Sequence, residues 1–219
     1  MPQRKKTRTK FTEPVMPRHL RRLKQIRKEV AAEAARIIAT EGQHNYHAAK
    51  KKAAERIGVA ERLALPSNIE VKDALRSYQG LYGGDAHRTN LDRLRRIAAQ
   101  AMQLLDEFRP RLVGSVLDGT ADAHSRVSLH VFSESVESVL MFFLERGIPY
   151  SQEERQIRWY SGEHHSIPLV LADFEGQTIE LAVFQELQLR QAPPSPIDGK
   201  PQRRASLQEV RLLLTSEPA

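Results

Sequence analysis

Apolar residues recur with a helical period through the first half of the chain and with a strand-like period through much of the second. From about Pro17 to Glu41, Val30, Ala34, Ile37 and Ile38 share one face, and Gly42 supplies a stop. A second helix is expected from about Tyr46 to Ile57, with Ala49, Ala53 and Ile57 on one side and Gly58 after it. Lys50, Lys51 and Lys52 lie on or beside its opposite side. Ser67 and Glu70 have capping-box spacing, in which each side chain satisfies the other's backbone N–H. They start a third helix with Val71, Ala74, Leu75 and Tyr78 inward, ended by Gly83-Gly84. A fourth, from about Arg88 to Phe108, has Leu91, Leu94, Ala98, Ala101, Leu105 and Phe108 in register. Arg93, Arg95 and Arg96 are expected on its outside, and Pro110 prevents its continuation.

Beyond Pro110 the period shortens. Strands are expected at 112–114 and 127–132, joined by a polar connection. Ser133 is placed as the cap of a helix through Glu145, with Val136, Val139, Leu140, Phe143 and Leu144 inward. Segments 153–160, 167–174 and 178–184 read as three strands. The stretch "RQAPPSPIDGKPQRRA" is irregular and held by prolines, and a last helix covers about 206–214. The fold class is therefore α+β: a helical N-terminal region, then a small mixed-sheet domain. The expected divisions are a disordered basic tail at 1–16, a helical region at 17–108 and an α+β domain at 109–219.

Composition narrows the chemistry. The 219 residues are 40% apolar, which supports a core. No apolar run approaches the ~20 residues that span a bilayer, and no signal-peptide core stands near the start, so no membrane partner is expected. The absence of cysteine excludes disulfides, thiolate metal sites and thiol nucleophiles, and fits a cytoplasmic setting. The formal charge is +7, unevenly placed: eleven Lys and Arg stand between Arg4 and Lys28 against one acid, Glu13. Such a block attracts RNA or DNA by neutralising phosphates and releasing counterions. The residues expected to do so are Arg18, Arg21, Arg22, Lys24, Arg27 and Lys28, with Lys50, Lys51 and Lys52 as a second patch.

The stretch "RPRLVGSVLDGTADAHSRVSLHVF" carries the remaining chemistry. Where a helix starts at Gly114-Ser115, a phosphate can approach the glycine backbone, and N–H groups with the Ser115 hydroxyl can hold it. Strand alternation places Arg126, Ser128 and His130 on one side of the second strand. Asp118, Asp122, His124 and His130 offer the elements of a metal set, but polar loop residues explain them more simply. His164-His165 points two ways along a strand. No Ser–His–Asp arrangement and no glycine-rich phosphate loop is present.

Val113-Gly114-Ser115, the gap to residues 126–129, and the later Ile179-Glu180-Leu181 together resemble the nucleotidyltransferase superfamily related to polymerase beta, particularly its minimal bacterial members. The resemblance spans roughly residues 94 to 184. It implies two carboxylates on the second strand and a third on a later one, holding magnesium for phosphoryl transfer. Here Arg126 and Ser128 occupy the first two places, and Glu180 is the only family acid retained. Arginine repels a divalent cation, and serine brings no charge. The expected function is a catalytically degenerate nucleotidyltransferase-fold protein that binds nucleic acid or a nucleotide through Gly114, Ser115, Arg126 and Ser128. No cofactor or metal is expected, with magnesium reserved for an active transferase using displaced acids. A third alternative is a DNA-binding regulator: "EVAAEAARIIATEGQHNYHAAKKKAAERIGV" resembles the opening of TetR-type domains, although no recognition helix is evident after Val59. The segment "PPSPIDGKP" reads either as a docking surface for a protein partner or as a connection over the sheet.

Overall fold

The computed structural model describes residues 17–43, 45–59 and 65–215. The tail expected at 1–16 lies outside the described residues. Three helices come first: α1 (Arg18–Glu41), α2 (Tyr46–Ile57) and α3 (Asn68–Tyr82). Asn45 caps α2 by accepting the His47 and Ala48 N–H groups, and Ser67 with Glu70 forms the expected capping box on α3. These helices bury Val30, Ala34, Ile37, Ala49, Ala53, Val71 and Leu75 against one another. The small alanines let the helix axes approach closely.

Helix α4 (Gly84–Leu104) is helical by sequence but belongs to the sheet by packing. Its Leu91, Leu94, Ile97, Ala98 and Met102 join the core beneath the strands. The boundary at residue 108 thus marks a change of secondary structure, whereas the packing changes earlier, between α3 and α4. Arg95, expected outside, is buried; Arg93 and Arg96 are exposed as expected. The Arg95 guanidinium lies against the turn at Gly119, which covers this side of α4.

The rest of the chain builds β1 (Arg111–Val113), α5 (Gly114–Asp118), β2 (Val127–Phe132), α6 (Val136–Glu145), β3 (Tyr150–Arg158), β4 (His164–Phe174), β5 (Gln177–Phe184) and α7 (Leu207–Thr215). The five strands form one sheet in the order β1-β2-β5-β4-β3. Only the central β2–β5 pair is parallel; the other pairs are antiparallel. Val127, Leu129 and Val131 face α4, α6 and α7 across the main core. Ser135, rather than Ser133, caps α6 by accepting the Ser138 N–H. Leu144, expected inward, is exposed, and Phe142, not among the residues expected inward, is buried. The run "VLMFFL" is apolar all round, so its periodicity cannot choose the inward face.

Strands β3 and β4 pair from Tyr150↔Ala172 to Arg158↔His164, but β5 pairs only with Leu169–Phe174. The far halves of β3 and β4 therefore project past β5 as a two-stranded ribbon. This ribbon forms one side of the cleft described next. No described helix is long and apolar enough to cross a membrane.

Candidate anion-binding cleft

Alternation along β2 places Ser128, His130 and Phe132 on the sheet face away from the main core. The parallel register continues that face: Ser128 lies opposite Glu180, His130 opposite Ala182, and Phe132 opposite Phe184. Ser128 and Glu180 are thus neighbours on one side of one sheet, as the sequence pattern leads one to expect. Gly114 joins the same wall, because Val113 pairs with Ser128 across β1–β2. Its φ of +74° makes the turn from β1 into α5, a conformation that costs most residues about 1–2 kcal/mol. Ser115 follows, half-buried, as the second residue of α5. With only five residues, α5 builds little macrodipole. An anion here would depend mainly on side-chain charge.

That charge converges on Glu180. Its side chain is only 7% exposed, and Oε2 accepts a 2.7 Å hydrogen bond from Arg155. Arg126 Nη1 stands 3.7 Å from the same oxygen. Both arginine side chains are about half exposed, so each keeps donors facing solvent while holding the carboxylate. Two guanidiniums against one carboxylate leave an excess positive charge at the wall of the cleft.

Two cavities share that wall. One, about 840 Å³, opens toward the helices and includes Tyr46, His47, Ser115 and Arg126. The other, about 720 Å³, lies against the β3–β4 ribbon and includes His130, Ile157, Trp159 and Leu169. Gly114, Ser128, Arg155, Glu180 and Pro196 line both. Pro196 belongs to the proline-bounded segment, which runs over the sheet as a strap. The strap closes on itself through Pro194↔Pro201 and through Ser195 N–H to the Lys200 carbonyl at 2.7 Å. Its ends are anchored by Tyr160 Oη to the Ala192 carbonyl and by Ala205, which exchanges both backbone hydrogen bonds with Leu112. At its tip, Asn68 of α3 donates to the Pro196 carbonyl at 2.9 Å. The segment is therefore a connection over the sheet that also roofs the cleft.

Beneath the strap, Arg204 Nε donates to His130 Nδ1 at 3.0 Å. Its Nη1 donates to the Gln188 and Leu189 carbonyls, and the guanidinium lies over the Phe132 and Phe184 rings. Burial, with the charges of Arg204 and Arg155, pushes His130 down to about 3. Burial and the charge of Arg111 also lower Arg204, to about 10. The unfolded histidine titrates near 6.5. Between pH 6.5 and about 3, the unfolded chain takes up a proton that the folded chain refuses. The His130 contribution to stability is thus complete above pH 6.5 and falls on acidification, by up to about 1.4 kcal/mol per pH unit. Urea unfolding at pH 7, 5.5 and 4 should show wild type losing stability more steeply than His130→Asn. Parallel losses would mean that His130 accepts its proton in the folded state.

The magnesium set implied by the family resemblance does not fit these residues. Arg126 and Ser128 stand at two of its places, and Glu180 is held by two guanidiniums. Asp118 is held by Lys72 Nζ at 2.7 Å. Asp122 Oδ1 accepts the His124 N–H and the Ser125 hydroxyl within its own turn. Among the described residues, no three His, Asp or Glu side chains gather into a metal-sized group.

The basic residues expected to meet nucleic acid divide into two kinds. Arg18, Arg21, Arg22, Lys24 and Lys28 are exposed along the first half of α1, as is Lys51 on α2. Arg27 is paired with Glu70 at 2.9 Å, Lys50 with Asn68 at 2.8 Å, and Lys52 with Glu41 at 2.6 Å. The place after Val59 where a TetR-type recognition helix would follow includes residues 60–64, outside the described residues. Sequence reasoning did not find Arg155 or Arg204. Both stand in charged or basic runs, "EERQIR" and "PQRRA", where nothing local distinguishes the cleft-facing arginine from its neighbours. No protein-family model, curated protein or solved structure matches the chain.

Proposed function

We propose that this protein binds a phosphate-bearing ligand, a nucleotide or a nucleic-acid segment, in the cleft between the helices and the sheet, without metal-dependent nucleotidyl transfer. The observation that supports this most is the convergence of Arg126 and Arg155 on one oxygen of the buried Glu180. A carboxylate so held is a poor cation ligand, while the outward donors of the two arginines suit phosphate oxygens. The Gly114 and Ser115 N–H groups lie at the start of a helix, where they lack intrahelical acceptors. The exposed arginines and lysines of α1 add a second, non-specific attraction for polyanions.

Isothermal titration with nucleotides, with and without magnesium, tests the first part. Arg126→Ala and Arg155→Ala should each weaken metal-free binding by about tenfold, the low end for a charge-assisted hydrogen bond because both groups are half exposed. Affinity unchanged in both variants would place the ligand elsewhere.

A further inference from the structure

We propose that His130 is a fixed hydrogen-bond donor that selects, in the cavity beneath the proline strap, a flat group carrying a hydrogen-bond acceptor and joined to the phosphate at Arg126 and Arg155. This rests on the phosphate-binding reading above and extends it to the rest of the ligand, which has the chemistry of a nucleobase.

The tautomer follows from the partner. A guanidinium has five donors and no acceptor, so the His130 nitrogen that meets Arg204 must accept. The imidazole proton is therefore on Nε2. An imidazolium would set two N–H groups head to head at Nδ1, so Arg204 also holds the ring neutral. His130 is 4% exposed, lines the 720 Å³ cavity, and has no partner for Nε2–H among the described residues. A donor fixed at a cavity wall makes a directed hydrogen bond when a ligand acceptor displaces solvent from it.

The remaining walls suit a flat apolar body. Ile157, Leu169 and Ala182 line the cavity from the sheet, and the Trp159 indole stands at its ribbon side. The ring of His130 is itself fixed by packing on Phe184, with centroids 4.6 Å apart. This cavity meets the phosphate-binding wall at Ser128, Arg155 and Glu180. One ligand can therefore place its anionic end on the arginines and its flat end against His130.

The four common nucleoside 5′-monophosphates and ribose 5-phosphate, titrated separately, test the proposal. At least one nucleotide should bind wild type about tenfold more tightly than ribose 5-phosphate. His130→Asn retains an acceptor for Arg204 but withdraws the donor from the cavity. It should lose about fivefold on that nucleotide and nothing on ribose 5-phosphate. His130→Gln, whose amide reaches the place of Nε2, should recover part of the loss. A second measurement needs no variant: in ¹⁵N-resolved NMR of wild type, His130 should carry its proton on Nε2. That N–H should move downfield with the nucleotide and not with ribose 5-phosphate. If ribose 5-phosphate binds and the base adds nothing, this proposal fails while phosphate binding stands. If neither ligand binds, the phosphate-binding reading fails, and this one with it. A proton on Nδ1 overturns the donor assignment outright.

Discussion

Glu180→Gln should tighten metal-free phosphate binding by about tenfold, the effect of removing one negative charge roughly 5 Å from a phosphate in a partly solvated site. The sign is the informative part. Glu180 is buried between Arg126 and Arg155 and lowers the positive potential that they present. Glutamine keeps the shape and an acceptor for Arg155, so the cleft should survive with more net positive charge. In an active nucleotidyltransferase the same change would do the opposite, because the retained family acid would be a metal ligand. The measurement pairs isothermal titration of a nucleotide, with and without magnesium, with a nucleotide-incorporation assay. Magnesium-dependent turnover by wild type that is lost in Glu180→Gln would overturn the proposal of metal-free phosphate binding.

Removal of residues 1–24 should abolish most of the salt dependence of polyanion binding while leaving the folded core in place. This segment carries nine Lys and Arg residues and one acid. If four of those charges neutralise phosphates on duplex DNA, the slope of log K against log salt falls by about 3.6 on their removal. Between 50 and 200 mM salt, the full chain should then lose about 100-fold more affinity than the shortened one. The cut is placed before Gln25 because Ile26 packs on the helical core and Arg27 pairs with Glu70. Cutting at residue 28 would mix lost charge with lost packing. Fluorescence anisotropy on labelled duplex DNA and single-stranded RNA, with a thermal melt as control, reads both effects. Equal slopes for the two chains would show that the basic segment makes no phosphate contacts.

These two experiments separate two sources of affinity that net charge alone cannot distinguish. The α1 charges are exposed and should be screened by salt, whereas the cleft pair is partly buried and less sensitive. A short nucleotide should therefore respond chiefly to Arg126, Arg155 and Glu180. A long polyanion should respond to both sets. Lys50 and Lys52, already bonded to Asn68 and Glu41, should matter less than Lys51.

The sequence by itself determined most of the elements. Capping at Ser67, the stop at Gly42 and the change from helical to strand period are local properties, decided within a few residues of chain, whereas the helix expected to reach Phe108 ends at Leu104, ahead of Pro110. Alternation along β2 also put Arg126, Ser128 and His130 on one side without any tertiary information. It could not choose the buried face of α6, because a helix that is apolar all round has no preferred side until a sheet covers one. Only the tertiary structure decided the electrostatics of the cleft. Arg155 and Glu180 meet across β4, and Arg204 reaches His130 across 74 positions of chain. A charged side chain carries no mark of its partner, since pairing depends on strand register and on the path of the strap, both set by long-range packing. Tertiary structure thus paired a lone strand glutamate with two arginines, and turned a proline-rich connection into the roof of a cavity.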